Sequence, residues 1–181
     1  KSGTKYVALD SQLKTITIPD TVQIIGVAAF GSHKLPSVTL GKNVHTISDS
    51  AFAYVTSENN KTKEPIVYDT ISGRNGKTTA HNTLTTFTIP NDSNLTTIGK
   101  TAFAQNSKLT SIALPATLDS IGLSAFVQCT SLKTVTFKGG LSGGIGDGAF
   151  LACPIANIDL SNTEVETIGV YAFSSMDAGQ R

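Results

Sequence analysis

The sequence has no tryptophan and only two cysteines in 181 residues. Cys129 and Cys153 are too few for a disulfide framework and lack the spacing of a zinc site. Charge is scarce as well, at 15% of residues against roughly 25% in an average soluble protein. The 14 basic and 13 acidic side chains leave a formal net charge of +1. That balance lacks the basic excess that nucleic-acid binding needs, so no nucleic-acid partner is expected. No apolar run approaches the ~18 residues of a membrane span, so no membrane insertion by this segment is expected. Thr, Ser, Asn and Gly take the place of the missing charge, a polar composition common in secreted β-rich proteins.

A reaction centre is also missing. His33, His45 and His81 share no metal-ligand spacing. The glycine-rich run from Gly139 to Gly146 lacks both the lysine and the strand–helix setting of a phosphate loop. The expectation is therefore no enzyme: no catalytic residue, no cofactor and no metal.

What the sequence has is a repeat. Phe30, Phe52, Phe103, Phe126, Phe150 and Phe173 each follow an alanine. Five residues before each stands an isoleucine: Ile25, Ile47, Ile98, Ile121, Ile145 and Ile168. Glycine follows that isoleucine every time except at Ser48. A second signature, Leu-x-x-Ile-x-Ile, precedes each unit and starts at Leu13, Leu35, Leu84, Leu109, Leu132 and Ile155. Its second half alternates as a half-buried strand does. Pro19, Pro90 and Pro115 follow directly and, lacking an N–H, end the strand. The starts lie 22, 49, 25, 23 and 23 residues apart, so one step holds an insertion or a degenerate coil.

One such coil cannot bury its own apolar face, whereas stacked coils bury a continuous one. The fold expected is mainly β, a solenoid of about six coils. Each coil has one short strand, a short second extended segment, and a single helical or 3-10 turn over Gly-x-x-Ala-Phe, a stretch too short for an α-helix. Inward side chains should stack as columns of Leu, Ile or Val, and Ile or Leu. A further column should hold Val22, Val44, Leu95, Leu118 and Val165, and the last two the repeated Ile and Phe. The glycine after each isoleucine is expected to serve a positive φ or a tight approach.

The full pattern is Leu-x-x-Ile-x-Ile-Pro-x-x-Val-x-x-Ile-Gly-x-x-Ala-Phe. Three residues after Phe it has Cys129 and Cys153, and elsewhere His33, Val55, Asn106 or Met176. Over residues 13–55 and 84–176 it resembles the BspA-like class of leucine-rich repeats. The resemblance implies that residues 1–181 form a single leucine-rich-repeat solenoid domain, expected to be a piece of a longer protein. It implies a cell-surface or secreted location, as in proteins of host-associated bacteria and some protozoan parasites. It also implies an adhesin-like interaction module, expected to be monomeric. The partner would be a protein, such as a host extracellular-matrix protein, or a glycan. The alternative is a structural spacer within a larger surface protein. The class carries no common catalytic residue and no fixed ligand.

Two regions are candidates for partner binding. The outward strand positions include Thr15, Thr17, Thr39, Thr86, Thr88, Thr134 and Thr136, which should form hydroxyl-rich rows continuing to Asn157 and Asp159. Threonine also simply favours strands. The second region, residues 56–82, is an insertion or degenerate repeat and offers Lys61, Lys63, Tyr68, Arg74 and Lys77 as contact residues. Cys129 and Cys153 occupy one place in adjacent coils. A disulfide there is geometrically allowed, but free thiols packed as small apolar groups are expected. Asp49 and Asp147 share a coil position in distant coils and make a poor acid/base pair.

Overall fold

Alternation in a strand sends successive side chains to opposite sides, so each Leu-x-x-Ile-x-Ile segment turns its aliphatic residues inward and its Thr and Ser outward. The computed structural model describes residues 14–31, 34–53 and 84–175. The first coil carries β1 (Thr15–Thr17) and β2 (Ile24–Ile25). The next carry β3 (Ser37–Thr39) with β4 (Thr46–Ile47), β5 (Thr86–Thr88) with β6 (Thr97–Ile98), β7 (Ser111–Leu114) with β8 (Ser120–Ile121), and β9 (Thr134–Phe137) with β10 (Gly144–Ile145). All pair in parallel, odd-numbered strands on a first face and even-numbered strands on a second. The protein is thus a mainly β parallel solenoid.

The second face is one sheet ordered β10-β8-β6-β4-β2, whereas the first splits into β1-β3-β5 and β7-β9. The split falls where the corner is longest: Leu95 stands six residues after Ile89, against four from Leu114 to Leu118. In the sixth coil only Ile168 joins the ladder, through a bridge to Ile145. Asn157 and Asp159 therefore extend no strand row. They replace threonine with two poor strand formers.

The core is a set of columns. Ile25, Ile47, Ile98, Ile121 and Ile145 lie in direct register along the second face and are all buried. Beside them runs an unbroken phenylalanine stack. Ring centroids are 5.1 Å apart from Phe30 to Phe52, then 5.3, 4.9, 5.0 and 5.2 Å through Phe103, Phe126, Phe150 and Phe173. Planes differ by 1–13°. The spacing is close to that of neighbouring strands, so each ring meets the next at the sheet's own period. Phe87 closes the stack edge-on, 4.8 Å from Phe103. Leu141 fills the place left open in the Val22–Val165 column. It lies one residue early relative to its isoleucine, and the extra residue is absorbed with Leu141 at φ 73° and Gly144 at φ 86°.

The expected helical or 3-10 turn is replaced by overlapping β-turns. Ala102 N–H donates to the Gly99 carbonyl, Ala104 to Thr101 and Asn106 to Phe103, and the same bonds recur in the other coils. The residues between them donate to the next coil instead: Thr101 to Leu123, Phe103 to Ala125 and Gln105 to Val127. Alternate N–H groups thus point within the coil and along the axis, which no helix permits. The cost is left-handed backbone: two residues before each phenylalanine at Ala28, Ser50, Thr101, Ser124 and Tyr171, with φ between 51° and 57°, where only Gly148 (φ 57°) is unstrained, and again two residues after it at Gln105, Gln128 and Ala152, with φ between 58° and 61°. The glycine after isoleucine serves close approach, not positive φ. A Cβ on Gly122 would lie 2.7 Å from the Gly99 carbonyl carbon and the Lys100 nitrogen.

This left-handed column makes one prediction. Ser124 is fully buried, and among the described residues its hydroxyl meets no hydrogen-bond partner. Gly148 stands in the next coil, where a neighbouring hydroxyl would otherwise come; Ser50 and Thr101, by contrast, share a 2.8 Å bond. A buried unpaired hydroxyl costs about 1–3 kcal/mol. Ser124→Ala, a residue Ala28 shows to be acceptable there, should leave stability unchanged or raise it by about 1 kcal/mol in urea unfolding. A loss of that size would contradict the assignment.

Candidate functional site

The outward threonines lie where the alternation puts them. Thr15, Thr17, Thr86, Thr88, Thr134 and Thr136 are exposed and Thr39 is half-buried. The register aligns Thr15 with Ser37 and Thr86, and Thr17 with Thr39 and Thr88. Beyond the split, Ser111 aligns with Thr134 and Ala113 with Thr136. The structure therefore gathers these candidates on one face as two rows along the axis. Lys61, Lys63, Tyr68, Arg74 and Lys77, like the rest of 56–82, lie outside the described residues, as do His33 and His81.

Apart from the Ser124 hydroxyl, the polar side chains described inside the coils hold coils together. Asn106 is buried and donates through Nδ2 to the carbonyls of Phe52 (2.9 Å) and Phe103 (2.8 Å). Cys129 and Cys153 take the same slot in the next two coils, and both are free and buried. The Cys129 thiol donates to the Phe103 carbonyl at 3.1 Å and the Cys153 thiol to the Phe126 carbonyl at 3.0 Å. Asn and Cys are thus exchangeable here as side-chain donors to the phenylalanine carbonyl of the preceding coil. The sequence shows the shared slot but not this shared role.

Burial pushes the Cys129 thiol well up from its ordinary pKa, and the neighbouring Cys153 adds to the effect. A thiol with raised pKa has less of the reactive thiolate at any given pH. Native protein near pH 8 should leave Cys129 and Cys153 unalkylated by iodoacetamide, with both labelled on unfolding. Rapid native labelling of Cys129 would contradict the buried hydrogen bond.

The carboxylates act as clips between coils. Asp49 Oδ1 accepts the Lys100 N–H at 2.8 Å, and Asp147 Oδ1 accepts the Val170 N–H at 2.8 Å. Asp119 accepts from the Ser142 hydroxyl and the Gly143 N–H. Hydrogen bonds from Ser161 hold the Asp159 carboxyl below its usual value. Among the described residues no group of three His, Cys, Asp or Glu could hold a metal ion. No described helix is long and apolar enough to cross a membrane.

A stack of parallel coils with a hydroxyl-rich face along its axis is the architecture of a repeat scaffold, a class that binds proteins through extended surfaces. The chain matches the BspA type leucine rich repeat region in six copies over residues 4–72 and 76–178. It belongs to that family of leucine-rich-repeat proteins, whose members are typically surface-associated or secreted. No curated protein gives a significant match.

Proposed function

We propose that this chain is a non-enzymatic, adhesin-like interaction module of a surface or secreted protein. It acts as a monomer and holds its partner on the first sheet face, with residues 56–82 adding contacts from Lys61, Lys63, Tyr68, Arg74 and Lys77. The partner is a macromolecule outside the cell, such as a host matrix protein or a glycan. The observation that supports this reading most is the pair of outward rows running in register from Thr15 and Thr17 to Thr86 and Thr88, continued by Thr134 and Thr136. These side chains carry no load in the core, and a repeat array offers them as one continuous surface.

The test is binding to immobilised extracellular-matrix proteins and to a glycan array. Saturable binding is expected, weakened by about tenfold or more when Thr86→Tyr and Thr134→Tyr place bulky groups on the exposed face. Deleting residues 58–80 should weaken it separately. An absence of binding across both panels would favour a spacer within a larger surface protein.

A further inference from the structure

We propose that the first sheet face takes a sulfated polysaccharide, laid along the solenoid axis against an edge of lysines. The inference rests on reading that face as the docking surface, and it adds the chemistry of the occupant. The edge is where the chain comes onto the face. Lys14 and Lys133 directly precede Thr15 and Thr134, the first residues of β1 and β9. Lys34 and Lys108 stand one residue before Leu35 and Leu109, at equivalent places in the second and fourth coils. All four are exposed.

Among the described residues no acid shares this edge. Asp20 and Asp92 stand at the far corner of the first face, Asp119, Glu164 and Glu166 lead into the second face, and Asp49 and Asp147 lie in the turns. The net charge of +1 conceals this segregation. At the far corner Lys42 Nζ lies 3.9 Å from Asp20, and Lys138 Nζ donates to Asn91 at 2.7 Å. Asp159 is the one acid in the outward positions, and it stands in the last coil, beyond β9. The edge therefore carries lysines in the first, second, fourth and fifth coils, with Thr85 in the third, over roughly 19 Å at the spacing of parallel strands.

Three features favour a sulfated polysaccharide over an acidic polypeptide. The outward rows from β1 to β9 are filled by Thr, Ser and Ala, with no aromatic side chain and no arginine. Protein partners draw most of their binding energy from such anchors. Hydroxyls are donors and acceptors at once, which matches the hydroxyls of sugar rings. Lysine is a rotatable point charge rather than a planar fork for carboxylates, so it accepts sulfate groups in varied geometry. A polyanion also releases counterions on binding, which gives the contact a steep salt dependence.

The experiment measures binding of heparin, neutral dextran and poly-glutamate to the full chain and to the triple variant Lys14→Gln, Lys108→Gln, Lys133→Gln. These side chains are exposed, so unfolding curves of the variant should overlay the parent's. Heparin should bind, lose affinity steadily as salt rises, and bind the variant roughly a hundredfold more weakly. Dextran should not bind, and poly-glutamate should bind far more weakly than heparin. Failure of heparin to bind, equal binding to the variant, or poly-glutamate binding as tightly as heparin would each overturn the proposal. If matrix proteins are still captured and Thr86→Tyr with Thr134→Tyr still weakens them, the docking reading stands without the polysaccharide.

Discussion

Phe103→Ala should destabilise the protein by about 3–5 kcal/mol, the range for emptying a large aromatic site in a packed core. Phe103 is fully buried at the centre of the stack, with Phe52 and Phe126 on its two faces and Phe87 at its edge. Removing it leaves a void touching three other rings and opens the stack between the coils on either side. For a chain of this length, the melting temperature should fall by roughly 10 °C or more. Phe173→Ala is the control. That ring is half-buried and, among the described residues, stacks on Phe150 alone, so its loss should cost about half as much. Equal costs at the two sites in urea unfolding would mean that the rings do not cooperate as a column.

Gly122→Ala should be the next most damaging change, although it adds a single methyl group. Its Cβ would come within 2.7 Å of two backbone atoms of the preceding coil, Gly99 C and Lys100 N. Backbone cannot rotate away as a side chain can, so the two coils must separate. Their separation strains the Gly122 N–H to Ile98 carbonyl bond of 2.8 Å. Overpacking of this kind costs about 1–3 kcal/mol, and loss of the ladder bond adds to it. Gly26→Ala is the matched control: nothing lies within 4 Å of its Cβ position and its φ is not positive. That change should be neutral or gain up to about 1 kcal/mol by restricting the unfolded chain. Thermal unfolding of both variants checks the contrast, and a Gly122→Ala protein as stable as its parent would contradict the close approach.

The columns were legible in the sequence because the core accepts few residue types. Six phenylalanines and six isoleucines recur at constant separation; the six rings stack and five of the isoleucines are buried, whereas Ile168 stays exposed at its bridge to Ile145. The turn was not legible. Its left-handed positions hold Ala28, Ser50, Thr101, Ser124 and Tyr171 before the phenylalanine and Gln105, Gln128 and Ala152 after it, and glycine, the usual marker of such backbone, occupies one only at Gly148. The conformation is imposed by hydrogen bonds to the neighbouring coil, which a single repeat does not contain. Leu141 escaped for a similar reason: the coil's extra residue shifts it out of the spacing that marks Leu118 and Leu95. The outward threonines were found from strand alternation. The lysine edge was not, because Lys14 and Lys108 become neighbours of one face only after the coils stack. Nothing in the core restrains an outward residue, so the repeat pattern carries the scaffold and leaves the partner unspecified.

The stack is tested most directly by nuclear Overhauser contacts between ring protons in protein labelled only at phenylalanine. Phe52 and Phe103 lie far apart in the chain, on either side of the long step between coils, yet their ring centroids are 5.3 Å apart. The expected result is a continuous series of contacts from Phe30 through Phe52, Phe103, Phe126 and Phe150 to Phe173. A missing Phe52–Phe103 contact, with the others present, would split the solenoid into two separate stacks and contradict the fold described here.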